Sequence, residues 1–178
     1  QWKFNNYGKC IWTDQFNDVK KYAPYDIIIL YDVLDHLQLI DPFDFLHQVK
    51  NILNDSGRIY IRCHPWCSKH GGHLYNKINK SYAHLIFDES ELLRLYGINM
   101  EYVLKPKNPI ETYRNWFAQT GFTIEREIIV KNQLNEFFLS LPPSIKERFD
   151  NSALDFDLLE LEYVDYVLTD RDLNQQIF

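Results

Sequence analysis

Glycine is scarce in this sequence, and its positions exclude one common kind of cofactor loop. The 178 residues contain six glycines, and none of them is followed by another glycine two positions later. Dinucleotide-binding turns use closely spaced glycines, because the backbone must approach the ligand there. This sequence therefore has no G-x-G turn, and Gly71-Gly72 is its only glycine pair.

Long apolar runs and an excess of positive charge are also absent. No apolar stretch reaches the roughly 18 residues that a transmembrane helix needs, so we expect no membrane partner. The net charge of −6 argues against a nucleic-acid partner, since phosphate binding needs concentrated Lys and Arg. Three cysteines without framework spacing predict a reducing compartment. Together these features predict a soluble cytoplasmic protein.

The first residue is Gln1, and the only methionine is Met100. An intact translation product normally begins with methionine, so we expect a processed chain or part of a longer polypeptide. The length and the 46% hydrophobic composition are enough for one domain with a sizeable core.

A βαβ unit is the clearest structural pattern. Residues 26–31 contain Ile27-Ile28-Ile29-Leu30, whose lack of alternation predicts a parallel strand buried on both faces. Asp41-Pro42 predicts the start of a helix over residues 42–53, with Asp as the cap. Asn54-Asp55-Ser56-Gly57 is expected to end that helix before a second strand over 57–63.

The remaining patterns predict one domain over residues 1–178 with a loop insertion at 64–88. A loop of this length is more often a lid or binding element than a plain connection. Its glycine pair suggests flexibility. We also expect strands near 9–13, 122–131 and 160–169, a helix near 111–120, and a solvent-facing position for Asp35.

The inserted loop begins with several potential metal ligands. Cys63-His64-Pro65-Trp66-Cys67 continues to His70 and His73 with the spacing C-H-x-x-C-x-x-H-x-x-H. Cysteine and histidine can supply a tetrahedral zinc set, but this spacing matches no established finger. We interpret the segment as a substrate loop without a metal. His64 and His70 are then candidates for a general base, because imidazole titrates near neutral pH, although surface placement without function is the alternative.

Four segments resemble class I S-adenosylmethionine-dependent methyltransferases. Residues 25–37, YDIIILYDVLDHL, are similar to the fourth-strand motif of that family, and residues 54–61 resemble, more loosely, the entry into its fifth strand. Residues 83–92 and 116–122 are similar to later segments, in the same order. The resemblance covers the carboxyl-terminal two thirds of the family's domain. The glycine-rich cofactor motif and the acidic residue that holds the ribose hydroxyls have no counterpart here.

The resemblance implies an α/β, Rossmann-like and mostly parallel sheet with helices on both faces. The final strand is expected to be antiparallel, and the amino-terminal strands of the fold are missing. It also implies S-adenosylmethionine as the cofactor, held by Asp14, Leu30, Tyr31 and Asp32.

The implied function is methyl transfer to an oxygen or nitrogen acceptor, such as a small molecule or sugar. A preceding segment or a second chain would have to complete the fold. Trp66, His73 and Tyr75 are the candidate substrate-loop residues beside the two catalytic candidates. The alternative is an inactive methyltransferase-fold module with a structural or protein-interaction role.

Overall fold

The computed structural model describes residues 16–74, 76–100, 103–150 and 156–170. Its centre is a four-stranded sheet in the order β1-β2-β4-β3. The strands are β1 (Tyr25–Tyr31), β2 (Leu53–Cys63), β3 (Thr123–Lys131) and β4 (Leu161–Thr169). β1 and β2 are parallel, whereas β4 is antiparallel to both β2 and β3. Three strands therefore run in one direction, and the expected antiparallel final strand is confirmed. The strand predicted near 9–13 lies outside the described residues.

Short helices connect and cover the strands. A 3₁₀ helix spans Leu34–Leu39 directly after β1. No helix in the described ranges is both long and apolar enough to cross a membrane. The α-helices are α1 (Phe16–Lys20), α2 (Pro42–Lys50), α3 (Ala83–Ile86), α4 (Glu89–Tyr96), α5 (Pro109–Gln119), α6 (Asn135–Ser140), α7 (Pro143–Asp150) and α8 (Phe156–Leu159).

The predicted helix start at Asp41-Pro42 is confirmed, and side-chain caps and a glycine define the ends of α4. Asp41 caps α2 by accepting hydrogen bonds from the backbone of Phe43 and Asp44. Asp88 caps α4 with a reciprocal capping box that includes Glu91. Gly97 ends α4 at φ 64°, a left-handed conformation that glycine adopts without a steric penalty.

The boundary between α2 and β2 differs from the prediction. α2 ends at Lys50, and the segment 54–57 lies within β2. Tyr25 pairs with Leu53, but Ile27 pairs with Arg58, so β2 carries extra residues between these two pairs. The turn-forming residues therefore make an irregularity inside the strand.

The main core lies on one face of the sheet. Leu46 and Val49 of α2 and Tyr113 and Phe117 of α5 pack in it with the strands. The strand residues of this core include Leu30, Ile59, Ile61, Cys63, Val164, Tyr166 and Leu168.

The opposite face of β1 corrects the expectation of burial on both sides. Leu30 is buried, but Ile27 and Ile29 are 68% and 66% exposed. Alternate residues of a strand point to opposite faces, and only one face of β1 is covered by the described residues. An apolar run shows that both faces of a strand can be buried, but it does not show that other residues cover both faces.

The inserted loop is packed and contributes a small core of its own. Leu74, Ile78 and Ala83 cluster with Leu92 and Met100 beyond the loop. The glycine pair serves close packing, contrary to the expected flexibility. A Cβ on Gly71 would lie 2.1 Å from the Pro65 carbonyl oxygen, and one on Gly72 would lie 2.4 Å from His84 Cβ.

Candidate functional site

The carboxyl ends of β1 and β2 bring Asp32 and His64 together. Asp32 follows β1, and its backbone N–H donates to the Arg62 carbonyl at 2.9 Å. The backbone of Asp32 is left-handed, with φ 54°, a conformation that Asp and Asn adopt more readily than most residues. This turn directs the chain away from the sheet at the point where His64 leaves β2.

An imidazole and a carboxylate form the centre of the site. His64 Nδ1 lies 2.5 Å from Asp32 Oδ1, and both side chains are about four-fifths buried, with exposures of 18% and 20%. An ionised carboxylate only accepts hydrogen bonds, so the hydrogen of a neutral His64 lies on Nδ1. Nε2 is then the nitrogen that can accept a proton.

A second carboxylate fixes the backbone of His64. Asp35 is 1% exposed, which corrects its expected solvent-facing position. One of its oxygens accepts from the His64 backbone N–H at 2.8 Å, and the other accepts from the Tyr113 hydroxyl at 2.6 Å. Burial raises the pKa of Asp35, while these two hydrogen bonds act in the opposite direction.

The pair borders a cavity of about 350 Å³. The inserted loop supplies three histidines and one asparagine to its lining, so the loop lies beside Tyr31 and Asp32 as predicted. The lining residues are Tyr31, Asp32, His64, His70, His73 and Asn79.

The imidazole of His73 is held in its neutral form. Burial, with the nearby His36 as the next cause, lowers its pKa to about 4. Its ring centroid is 4.6 Å from that of His36 and 6.0 Å from that of His64. Nε2 of His73 is buried and has no hydrogen-bond partner among the described residues. A polar ligand in the cavity could satisfy it.

Arg62 supports the wall of the site on the open face of the sheet. Its guanidinium makes two 2.6 Å hydrogen bonds to the Asp165 carboxylate. It also lies over Tyr163 and Tyr31, with 4.0 and 5.6 Å from Cζ to the ring centroids. The hydrogen bonds to Asp165 raise the pKa of Arg62, so its positive charge is permanent.

Two predicted residues do not contribute side chains to this cavity. Leu30 packs in the main core, which leaves only its backbone for a ligand. Trp66 lines a separate cavity of about 450 Å³ with His84 and Lys105. Asp14 and Tyr75 lie outside the described residues.

Cys63 at the end of β2 and Cys67 in the inserted loop are suited to packing. Cys63 and Cys67 are both buried free thiols. Burial raises the pKa of Cys63 well above its usual value and that of Cys67 to about 12. Both thiols are therefore protonated near neutral pH.

Sequence reasoning missed Asp35, Tyr113 and Arg62 as parts of the site. Asp35 lies within the quoted fourth-strand segment, but nothing local to it indicates burial. Tyr113 and Arg62 reach the site through contacts with Asp35 and Asp165, which are 78 and 103 positions away in the sequence. Long-range partners of this kind leave no spacing signal in the sequence.

No protein-family model and no curated protein matches the sequence. Several solved structures have a similar fold. The O-methyltransferase of a trans-AT PKS multienzyme from Brevibacillus brevis, in complex with S-adenosyl-L-homocysteine, is 13% identical with a TM-score of 0.41, covering 83% of this chain and 44% of that chain. The cyclopropane synthase MmaA2 from Mycobacterium tuberculosis is 15% identical, with a TM-score of 0.46. The match covers 82% of this chain and 55% of that chain. A geranyl diphosphate methyltransferase in complex with SAM is 12% identical, with a TM-score of 0.42. The match covers 82% of this chain and 47% of that chain. The chain spans about half the length of these structures.

Proposed function

We propose that this chain is the acceptor-side part of an S-adenosylmethionine-dependent methyltransferase domain that acts on a hydroxyl or amine of a small molecule. The observation that supports this most is the His64–Asp32 pair beside a cavity at the carboxyl ends of two parallel strands. Ligands of open α/β sheets bind at that edge. The motif order in residues 25–122 supports the same assignment.

The His64 imidazole would act as the general base. Asp32 accepts the hydrogen on Nδ1, so Nε2 is free to take the proton of an acceptor hydroxyl as its oxygen forms the bond to carbon, or the proton of an ammonium before the resulting amine attacks. Asp35 keeps the His64 backbone in place during this step. When bound, S-adenosylmethionine would supply a methyl group on a sulfonium, whose leaving group is a neutral thioether. Such a transfer depends on alignment and on exclusion of water more than on a covalent enzyme intermediate.

The described residues fit one end of the cofactor only. Tyr31 is half-exposed at the cavity and Asp32 forms part of its wall, so both can contact a polar group there. The sequence has no G-x-G turn to approach the methionine moiety. A further βα segment that carries such a turn, from this polypeptide or from a partner chain, would provide the rest.

The open face of β1 supports that completion. Ile27 and Ile29 expose two large apolar side chains beside each other on a strand at the edge of the described sheet. Covering two such side chains contributes about 1.5–3 kcal/mol each. The completing segment would pack on this face and pair with β1.

A second candidate function is an inactive methyltransferase-fold module that binds another protein. The same exposed isoleucines and the absence of a glycine turn favour it. In that case the partner covers β1 without bringing a cofactor site.

Two measurements separate these functions. Isothermal titration of the 178-residue chain with S-adenosylmethionine should show weak binding or none; low-micromolar binding would mean that the chain holds the whole cradle. The polypeptide from the complete reading frame should transfer a tritiated methyl group to an acceptor in a small-molecule extract. No transfer, with normal folding, would support the interaction module.

Variants of the active form test the role of the base. His64→Ala should lower kcat by about 100-fold or more, with little change in cofactor affinity. His47→Ala, at an exposed position of α2, is the matched control. His70→Ala should also lower turnover if His70 contacts the acceptor. Unchanged kcat for both cavity variants would remove the histidines from the mechanism.

A further inference from the structure

A third cavity, of about 400 Å³, lies apart from the histidine site. It is formed by the end of the inserted loop together with α6, α7 and the turn between them. None of its lining residues borders the histidine cavity. The lining consists of Lys80, Ser81, Ile86, Phe87, Phe137, Leu141, Pro142, Ile145 and Arg148.

The interior of this cavity is apolar and its walls are fixed. Phe137, Leu141 and Ile145 pack against a buried cluster that contains Tyr82 and Phe149. The rings of Phe137 and Tyr82 lie 5.1 Å apart between centroids. Tyr82 is held in turn, since its hydroxyl donates to the Leu159 carbonyl at 2.8 Å. A preformed apolar cavity of this volume is within the range that small ligands occupy.

The charged side chains of the lining are all positive. Lys80 and Arg148 are exposed residues that also line the cavity, which places them at its opening. Arg148 is paired with Glu91 at 2.7 Å and donates to the Ile86 carbonyl at 2.6 Å. No carboxylate pairs with Lys80 within the part of the chain that the structure describes. The opening therefore offers one uncompensated ammonium group above an apolar interior.

We propose that this cavity binds a medium-chain fatty carboxylate, with its alkyl chain among Phe137, Leu141 and Ile145 and its carboxylate at Lys80. The net charge of the whole chain is −6, which repels anions in general. Preference for an anion over a cation of the same chain length must therefore come from the local charge at the opening. This site is separate from the proposed methyl transfer and stands whether or not that activity exists.

Isothermal titration with decanoate tests the proposal directly. We expect saturable one-to-one binding below the micellar concentration, and no saturable binding of decyltrimethylammonium. Equal binding of the two amphiphiles would show non-specific apolar association and would overturn the proposal, as would absence of decanoate binding.

Two variants locate the ligand. Lys80→Glu should weaken decanoate binding by about fivefold or more, the effect of reversing one partly exposed charge pair. Lys77→Glu makes the same change at an exposed lysine that does not line the cavity, and should leave binding unchanged. An equal loss in both variants would assign the effect to net charge and contradict a site at Lys80.

Ile145→Trp tests whether the alkyl chain of decanoate occupies the apolar interior of the cavity. The larger side chain should fill the cavity and abolish decanoate binding, while the thermal unfolding midpoint shows whether the fold is retained. If that variant unfolds, Leu141→Trp on the neighbouring wall serves the same purpose. Decanoate binding at wild-type affinity in a folded cavity-filled variant would place the ligand elsewhere and refute the assignment.

Discussion

The Tyr113 hydroxyl donates a 2.6 Å hydrogen bond to Asp35, which joins helix α5 to the 3₁₀ helix after β1. The other oxygen of the same carboxylate accepts from the His64 backbone N–H at 2.8 Å. One buried carboxylate therefore links a helix of the core to the residue that pairs with Asp32. The position of the proposed base depends on a group that would not itself contact a substrate.

Replacing Asp35 with asparagine should destabilise the fold. Asparagine has nearly the same size but only one acceptor oxygen, and its NH₂ group would face a donor. We expect the free energy of unfolding to fall by about 1–3 kcal/mol, measured by urea denaturation with circular dichroism. Asp44→Asn, at an exposed position of α2, should change it by only about a few tenths of a kcal/mol. Similar losses in the two variants would contradict the bridging role of Asp35.

Stability should decrease in mild acid, in part because of His84. Burial lowers its pKa to about 3, and His73, His70 and Lys105 lower it further. The hydrogen bond between its Nε2 and the Trp66 carbonyl oxygen, at 2.6 Å, acts in the opposite direction. The unfolded chain binds this proton near pH 6.5. Between these two pH values the unfolded state holds more protons, so the free energy of unfolding falls as pH falls, by about 1.4 kcal/mol per pH unit.

His84→Gln removes this titration, so the uptake of protons on unfolding should fall by about one. The free energy of unfolding should then depend less steeply on pH, as measured by urea denaturation at several values from pH 7 to pH 4. His73, with a pKa of about 4, contributes in the same direction and remains in the variant. His47→Gln, at an exposed position, should leave the slope unchanged. A slope that His84→Gln does not alter would show that His84 is protonated alike in both states.

Alanine at Gly72 should cost more stability than alanine at Gly97. A Cβ at position 72 would meet the His84 ring, with 2.6 Å to Cγ, whereas nothing lies within 4 Å of a Cβ at position 97. Overpacking of a fixed site costs about 1–3 kcal/mol. The cost at position 97 comes from its positive φ alone and is about 1 kcal/mol. Thermal unfolding of both variants measures the difference, and the reverse order would mean that the loop can move away from position 72.

Arg62→Lys should destabilise the fold more than Arg58→Lys does. Both arginines extend from β2 and bond a carboxylate with two nitrogens, Arg62 with Asp165 and Arg58 with Glu125. The side chain of Arg62 is 23% exposed and that of Arg58 is 55% exposed. Lysine cannot reproduce the two-pronged contact or the stacking on Tyr163, so Arg62→Lys should lower the free energy of unfolding by about 1–2 kcal/mol.

Solvent screens the exposed pair more strongly, so Arg58→Lys should have a smaller effect than Arg62→Lys. Chemical denaturation at low and at high salt measures both. If Arg58→Lys proves the more damaging change, the Arg62 pair is not a support of the site.

The parts of the fold set by local signals were predictable from the sequence. Asp41-Pro42 marks a helix start through its own side chain and ring, and Gly97 marks a helix end through its own backbone. The proximity of Asp32 and His64 was also predictable, because both residues follow parallel strands at the same edge of a sheet.

Features that depend on distant partners were not predictable. Burial of Asp35 is set by Tyr113 and the backbone of His64, and no pattern around Asp35 indicates either of them. The exposure of Ile27 and Ile29 is a similar case, because periodicity shows which residues can be buried and not what covers them. Trp66 and Tyr31 have similar aromatic character in sequence, yet the path of the loop places Trp66 at another cavity.

The left-handed backbone at Asp32 has a consequence for reading natural variation and saturation libraries at this position. Two separate selections act on residue 32, one for side chains that tolerate a positive φ and one for a carboxylate that faces His64. Glycine and asparagine satisfy the first alone, and glutamate keeps the carboxylate but not the ease of the turn. A library scored once for folded yield and once for activity would therefore rank the amino acids at position 32 in two different orders, and aspartate alone would be high in both.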